Sequence, residues 1–139
     1  MTTRFNSIGL QGRKGQDDNV SDSRLQTLVV HAPYTGVATE VVTTKALPAN
    51  ASVIDIVVNR LTASTGGTTE TINVGVSGNP DQLIDGAATD ALGFVGPTGG
   101  VGEGATVFNS AQTISYQYGS ADLTGSPDGE ILITYIGND

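Results

Sequence analysis

Val53-Ile54-Asp55-Ile56-Val57-Val58-Asn59 leads, across Ser64-Thr65-Gly66-Gly67-Thr68, into Glu70-Thr71-Ile72-Asn73-Val74-Gly75-Val76-Ser77, and this pair of segments decides the fold. β-branched residues at period two, bounded by Gly, Pro and Asn, predict two strands joined as a hairpin. On the second, Ile72, Val74 and Val76 share one face and Thr71, Asn73 and Ser77 the other, so one side is expected inside and one wet. On the first, Ile54, Ile56 and Val58 form an apolar face while Val53 and Val57 populate the opposite one. A strand apolar on both faces belongs in the middle of a sheet. The turn Leu47-Pro48-Ala49-Asn50-Ala51 feeds it.

Outward from this unit the same style repeats. Thr27 to His31 reads as a strand, closed by Ala32-Pro33-Tyr34-Thr35-Gly36, and Val37 to Thr44 as another. Thr113 to Tyr118 and Glu130 to Ile136 are the last strands, separated by the turn-rich stretch Gly119 to Gly129. Asn79-Pro80-Asp81 predicts a helical turn, with Asn79 as N-cap and Pro80 in the first position, and Leu83 and Ile84 plugging one end of the domain. Roughly six to eight strands at this spacing predict an all-β antiparallel sandwich of jelly-roll or Greek-key type over residues 25–139. Ile54, Ile56, Val58, Ile72, Val74, Val76, Ile114, Tyr116, Ile131 and Ile133 are its expected core.

Residues 1–24 read differently. Phe5, Ile8, Leu10 and Val20 follow no period, and Gly12 to Asn19 is polar and turn-rich. This is an extended N-terminal arm, either a leader or a segment that orders on a partner. In the second reading Phe5, Ile8 and Leu10 are apolar anchors, and Arg4, Arg13 and Lys14 meet acidic groups.

The 139 residues carry six basic and fourteen acidic side chains, for a net charge of −8. The arm holds four of the six cations, so the remainder is strongly acidic. That argues against nucleic acid, because phosphate binding needs clustered Lys and Arg. No Cys is present, which removes disulfides, thiolate metal sites and a Cys nucleophile. No run approaches the ~18 apolar residues of a membrane span, and a signal-peptide pattern is lacking. Synthesis in the cytoplasm is therefore expected.

Chemistry is hard to find. Gly96-Pro97-Thr98-Gly99-Gly100-Val101-Gly102-Glu103-Gly104 lacks the Lys and the helix start of a phosphate loop. Asp81, Asp85 and Asp90 do not have EF-hand spacing. His31 is the sole imidazole, with no nucleophile motif beside it. Asn19-Val20-Ser21 and Asn50-Ala51-Ser52 are only formal glycosylation acceptors. The sequence thus predicts no catalytic residues, no metal and no cofactor.

Ala46-Leu47-Pro48-Ala49-Asn50-Ala51, the Val53–Asn59 segment and Thr65-Gly66-Gly67-Thr68 form one set of phrases. With Val74-Gly75-Val76, Asn79-Pro80-Asp81 and Gly129-Glu130-Ile131-Leu132-Ile133-Thr134-Tyr135-Ile136, they resemble head decoration, or cement, proteins of tailed bacteriophages. The resemblance covers about residues 28–136. It implies a β-sandwich, often a homotrimer, that sits on the virion exterior and clamps adjacent major capsid protein subunits. It transfers no catalytic residues. A receptor- or glycan-binding module of a tail or fibre is the alternative, and it would show clustered exposed aromatics. Contacts between copies are expected through Ser/Thr-rich strand faces and the Gly93–Gly104 loop, without large apolar patches, and contacts with the capsid through the arm.

Overall fold

The computed structural model describes residues 25–96 and 106–137. Nine strands follow one another: β1 Leu25–His31, β2 Val41–Leu47, β3 Ser52–Thr62, β4 Thr71–Val76, β5 Asn79–Ala88, β6 Gly93–Val95, β7 Thr106–Val107, β8 Gln112–Tyr118 and β9 Asp128–Ile136. All pairings are antiparallel. One sheet, here sheet A, runs β1-β9-β3-β6, with β7 on the same edge of β3 as β6, and sheet B runs β2-β8-β4-β5. Successive strands pass repeatedly from one sheet to the other, the wrapped double Greek key of a jelly roll. The fold is an all-β antiparallel sandwich, as the period of two predicts.

The two central segments do not form a hairpin. β3 pairs with β9 on one side and with β6 and β7 on the other, whereas β4 pairs with β8 and β5. Each presents an apolar face, and two such faces bury best by facing each other across the core rather than lying side by side in one sheet. The connection from Ala63 to Glu70 is long enough to cross the ~10 Å between packed sheets. A bridge between Gly66 and Thr124 holds it midway.

Asn79-Pro80-Asp81 is also not helical. Ser77 and Gly78 turn the chain, with Gly78 at φ +87°, the positive value a tight turn demands. Asn79 then starts β5 opposite Val76. β5 carries more residues than the strand it faces, and its register slips twice, between Ile72 and Val74 and between Val74 and Val76. The slack lets the adjacent Leu83 and Ile84 both go inside, where they are fully buried. The strand predicted from Val37 starts only at Val41.

Twenty-one apolar side chains form one core cluster between the sheets. Nine of the ten expected core residues are in it; Ile54 is not, at 43% exposure. A β-bulge explains the exception. Val53 faces Tyr135 and Asp55 faces Thr134, so Ile54 is the surplus residue, and alternation restarts beyond it with Ile56, Val58 and Arg60 inward.

Candidate interaction surface

The outer faces of the two sheets differ in chemistry. On sheet B the outward positions include the half-exposed Thr71 and Asn73 of β4 and Thr113 and Gln117 of β8, while Ser115 between them is buried. Val42 is the one exposed large apolar residue on the strands of this sheet. Such a face is already content with water.

Sheet A is different. Because Val30, Ile56, Val58, Ile131, Ile133 and Tyr135 are buried, their strand neighbours must point out. Register then aligns them in rows. Val29, Leu132 and Val57 form one row across three strands. Leu25, Ile136, Ser52 and Val107 form another at one end, and His31, Glu130, Asn59 and Phe94 a third at the other. Thr27, Thr134 and Asp55 lie between the first two. Phe94 is 71% exposed, Val107 61%, Leu25 54% and Val29 43%. The Val29, Leu132 and Val57 row, with Phe94 diagonal to Val57 at the sheet edge, is an apolar stripe; the Thr27, Thr134 and Asp55 row separates it from Leu25, Ile136 and Val107, and Asp55 and Glu130 add an acidic accent. The two basic residues among the described ones lie elsewhere: Lys45 is on β2 of the other sheet, and Arg60 points inward.

The residues predicted to make partner contacts, Arg4, Phe5, Ile8, Leu10, Arg13 and Lys14, lie outside the described residues, as does most of the Gly93–Gly104 segment. The described residues begin at Leu25, at one corner of the outer face of sheet A.

Inside the sandwich one polar cluster stands out. Arg60 is 2% exposed. Its Nη2 approaches the Thr62 carbonyl at 3.5 Å, while Nε and Nη1 are buried without a protein partner. Its guanidinium carbon lies 5.7 Å from the Tyr118 ring centre, within cation–π range. Tyr118 in turn meets Tyr34 and Tyr116 edge to face, with ring centres at 5.1 and 5.9 Å. The Tyr118 hydroxyl donates to the Ala32 carbonyl at 2.6 Å and the Tyr116 hydroxyl to the Pro33 carbonyl at 2.8 Å. Together they pin the β1–β2 connection. Burial, then Tyr118 and Asp128, pushes the Tyr116 phenol up to about 12. Burial raises Tyr118 as well, with Arg60 opposing. Sequence reading gave Arg60 no role; its parity with Ile56 and Val58 was the available signal.

His31 ends β1 with Nε2 at 2.8 Å from Asp128 Oδ1, and the same oxygen accepts the Gly129 N–H at 2.8 Å. Asp122 accepts from the Thr68 amide and hydroxyl at 2.9 and 2.5 Å and from the Ser120 hydroxyl. These bonds, the Ser120 one foremost, lower its carboxyl to about 2. Asp81, Asp85 and Asp90 form no metal-binding group with other ligands among the described residues.

No protein-family model matches the sequence, and no curated protein sequence matches it either. Solved structures do. A chain of the capsid asymmetric unit of cyanophage Pam1 is 17% identical; the match covers 99% of this chain and 98% of that one, with a TM-score of 0.54. A chain of the acidic stable capsid structure of Helicobacter pylori bacteriophage KHP30 is 13% identical, covers 83% of this chain and 94% of its own, and has a TM-score of 0.48. Both belong to phage capsid structures, and the likeness to the Pam1 chain is one of fold over nearly the whole of both.

Proposed function

We propose that this chain is a virion structural protein of a tailed bacteriophage, a decoration or cement protein. It binds the outside of the capsid and stabilises contacts between major capsid protein subunits. The observation that carries this reading is the end-to-end match to a chain of a phage capsid asymmetric unit. Two whole chains of the same size and fold correspond, rather than a shared fragment. The exposed apolar residues on the outer face of sheet A support it, because such patches mark association surfaces.

The protein acts without catalysis or cofactor, is made in the host cytoplasm and ends on the virion exterior. It assembles as a cyclic homotrimer, the closed symmetry that lets a cysteine-free domain gain stability from its copies. Glycan binding by a tail or fibre fits less well. Tyr116, Tyr118 and Tyr135 are buried and Tyr34 half-buried, which leaves Phe94 as the single exposed aromatic among the described residues.

The test is sedimentation of purified protein with undecorated capsids of the phage that encodes it. Saturable binding at a fixed number of copies per capsid is expected, with a trimer in analytical ultracentrifugation of the free protein. Binding to tails or host cells instead of capsids would reverse the assignment.

A further inference from the structure

We propose that the outer face of sheet A, centred on Val29, Leu132 and Val57 and extending to Phe94, is the surface that seats on the capsid. Its partner is a shell-protein surface that presents apolar side chains bordered by Lys or Arg. This rests on the capsid-binding reading above and adds which way round the sandwich sits.

Three observations converge. First, the polarity of the two outer faces is unequal, and water tolerates the Thr-, Asn- and Gln-bearing face of sheet B far better than the apolar rows of sheet A. Second, the seating face is predominantly acidic, with His31 paired to Asp128 at 2.8 Å. Asp55, Glu130 and Asp128 stand on its strands, and neither Lys45 nor Arg60 reaches it. Carboxylates of Asp55 and Glu130 on either side of the apolar row select basic groups opposite.

Third, the undescribed residues 1–24 enter the fold at Leu25, on this face and at its corner. A partner held by the arm is therefore held beside the stripe.

Size decides against a second copy as the occupant. Four strand positions at ~4.8 Å and seven residues at ~3.3 Å give a face of roughly 450 Å². A stable interface needs about 800 Å² on each side, so a symmetric pair through this face alone falls short. The arm, up to about 80 Å long when extended, supplies the missing area on a large partner. It does not cover the stripe by itself: Phe5, Ile8, Leu10 and Val20 are scattered without a common period.

Because the chain has no cysteine, single thiols report on this directly. Full-length Val29→Cys and Phe94→Cys, with Val42→Cys on the opposite sheet as control, are treated with a maleimide free in solution and bound to capsids. Their melting temperatures are compared with the parent to confirm folding. Free protein is expected to react quickly at all three sites. On capsids, Val29→Cys and Phe94→Cys should slow at least tenfold while Val42→Cys changes less than twofold.

Equal labelling of the sheet A thiols with and without capsid, or protection of Val42→Cys instead, would overturn the orientation. Protection already present in free protein would overturn it too; concentration dependence would then name a second copy as the cover, and its absence the chain's own arm. If the parent protein does not bind capsids at all, it is the functional reading that falls.

Discussion

Val53 and Ile56 both point into the core, although an undisturbed strand would put them on opposite faces. The bulge at Ile54 reconciles them and leaves Ile54 outside. Truncating Ile56→Ala should therefore cost about 2–5 kcal/mol, from lost transfer energy plus the cavity. Ile54→Ala, at an exposed position, should stay within about 0.5 kcal/mol. Urea unfolding of the two variants side by side measures this, and comparable losses would refute the bulged register.

Gly75 faces Ser115 on the outer side of sheet B, and β5 folds its backbone closely over it. A Cβ at Gly75 would lie 2.7 Å from the Pro80 carbonyl carbon, which is backbone and cannot step aside. Gly75→Ala should lower stability by roughly 1–3 kcal/mol or more through overpacking. Gly78→Ala meets no neighbouring atom, so its cost is that of the positive φ alone. Thermal melts should rank Gly75→Ala as the less stable of the two.

Arg60 places a guanidinium in the core with two nitrogens lacking protein partners. Arg60→Met keeps most of the volume and removes the desolvated charge, so stability should hold within about 1 kcal/mol or rise, since apolar replacements of buried charges are often neutral or stabilising. Arg60→Ala should cost about 2–4 kcal/mol by leaving a hole under Tyr118. A loss of more than about 3 kcal/mol in Arg60→Met would show that the guanidinium itself holds Tyr118 and the β1–β2 connection together.

Asp122 and Tyr116 set opposite limbs of the pH dependence. The folded Asp122 carboxyl lies near 2, below its ordinary 3.8. Its contribution is present above about pH 4 and is lost as pH falls from 4 towards 2. Tyr116 is raised from 10 to about 12, so its contribution is complete below pH 10 and disappears between 10 and 12. Asp122→Asn should flatten the acid limb of a stability–pH curve and Tyr116→Phe the alkaline one. An acid limb that keeps its slope in Asp122→Asn would assign it to another carboxylate.

Much of the architecture was legible because period-two alternation survives wherever strands are regular. β8 and β9 were placed within two residues of their ends, and Ile72, Val74, Val76, Ile131 and Ile133 are all buried as expected. Partner choice was not legible. Local pattern says that β3 and β4 are strands but not that one pairs with β9 and the other with β8, which is settled by packing across the core. Bulges were invisible for the same reason, so Ile54 was placed inside and β5 was read as a helical turn. The apolar outer face did leave a trace. Leu28-Val29-Val30, Val57-Val58 and Ile131-Leu132-Ile133 are unbroken apolar runs, and in a sandwich with one buried face each run must leave a residue outside.

A cryo-electron microscopy reconstruction of capsids saturated with the protein tests the proposal most directly. It should show trimeric density on the outer surface of the shell, with Val29, Val57 and Phe94 against capsid subunits and the Thr- and Asn-bearing face of sheet B towards solvent. Density confined to the tail, or a sandwich seated with sheet B against the shell, would contradict it.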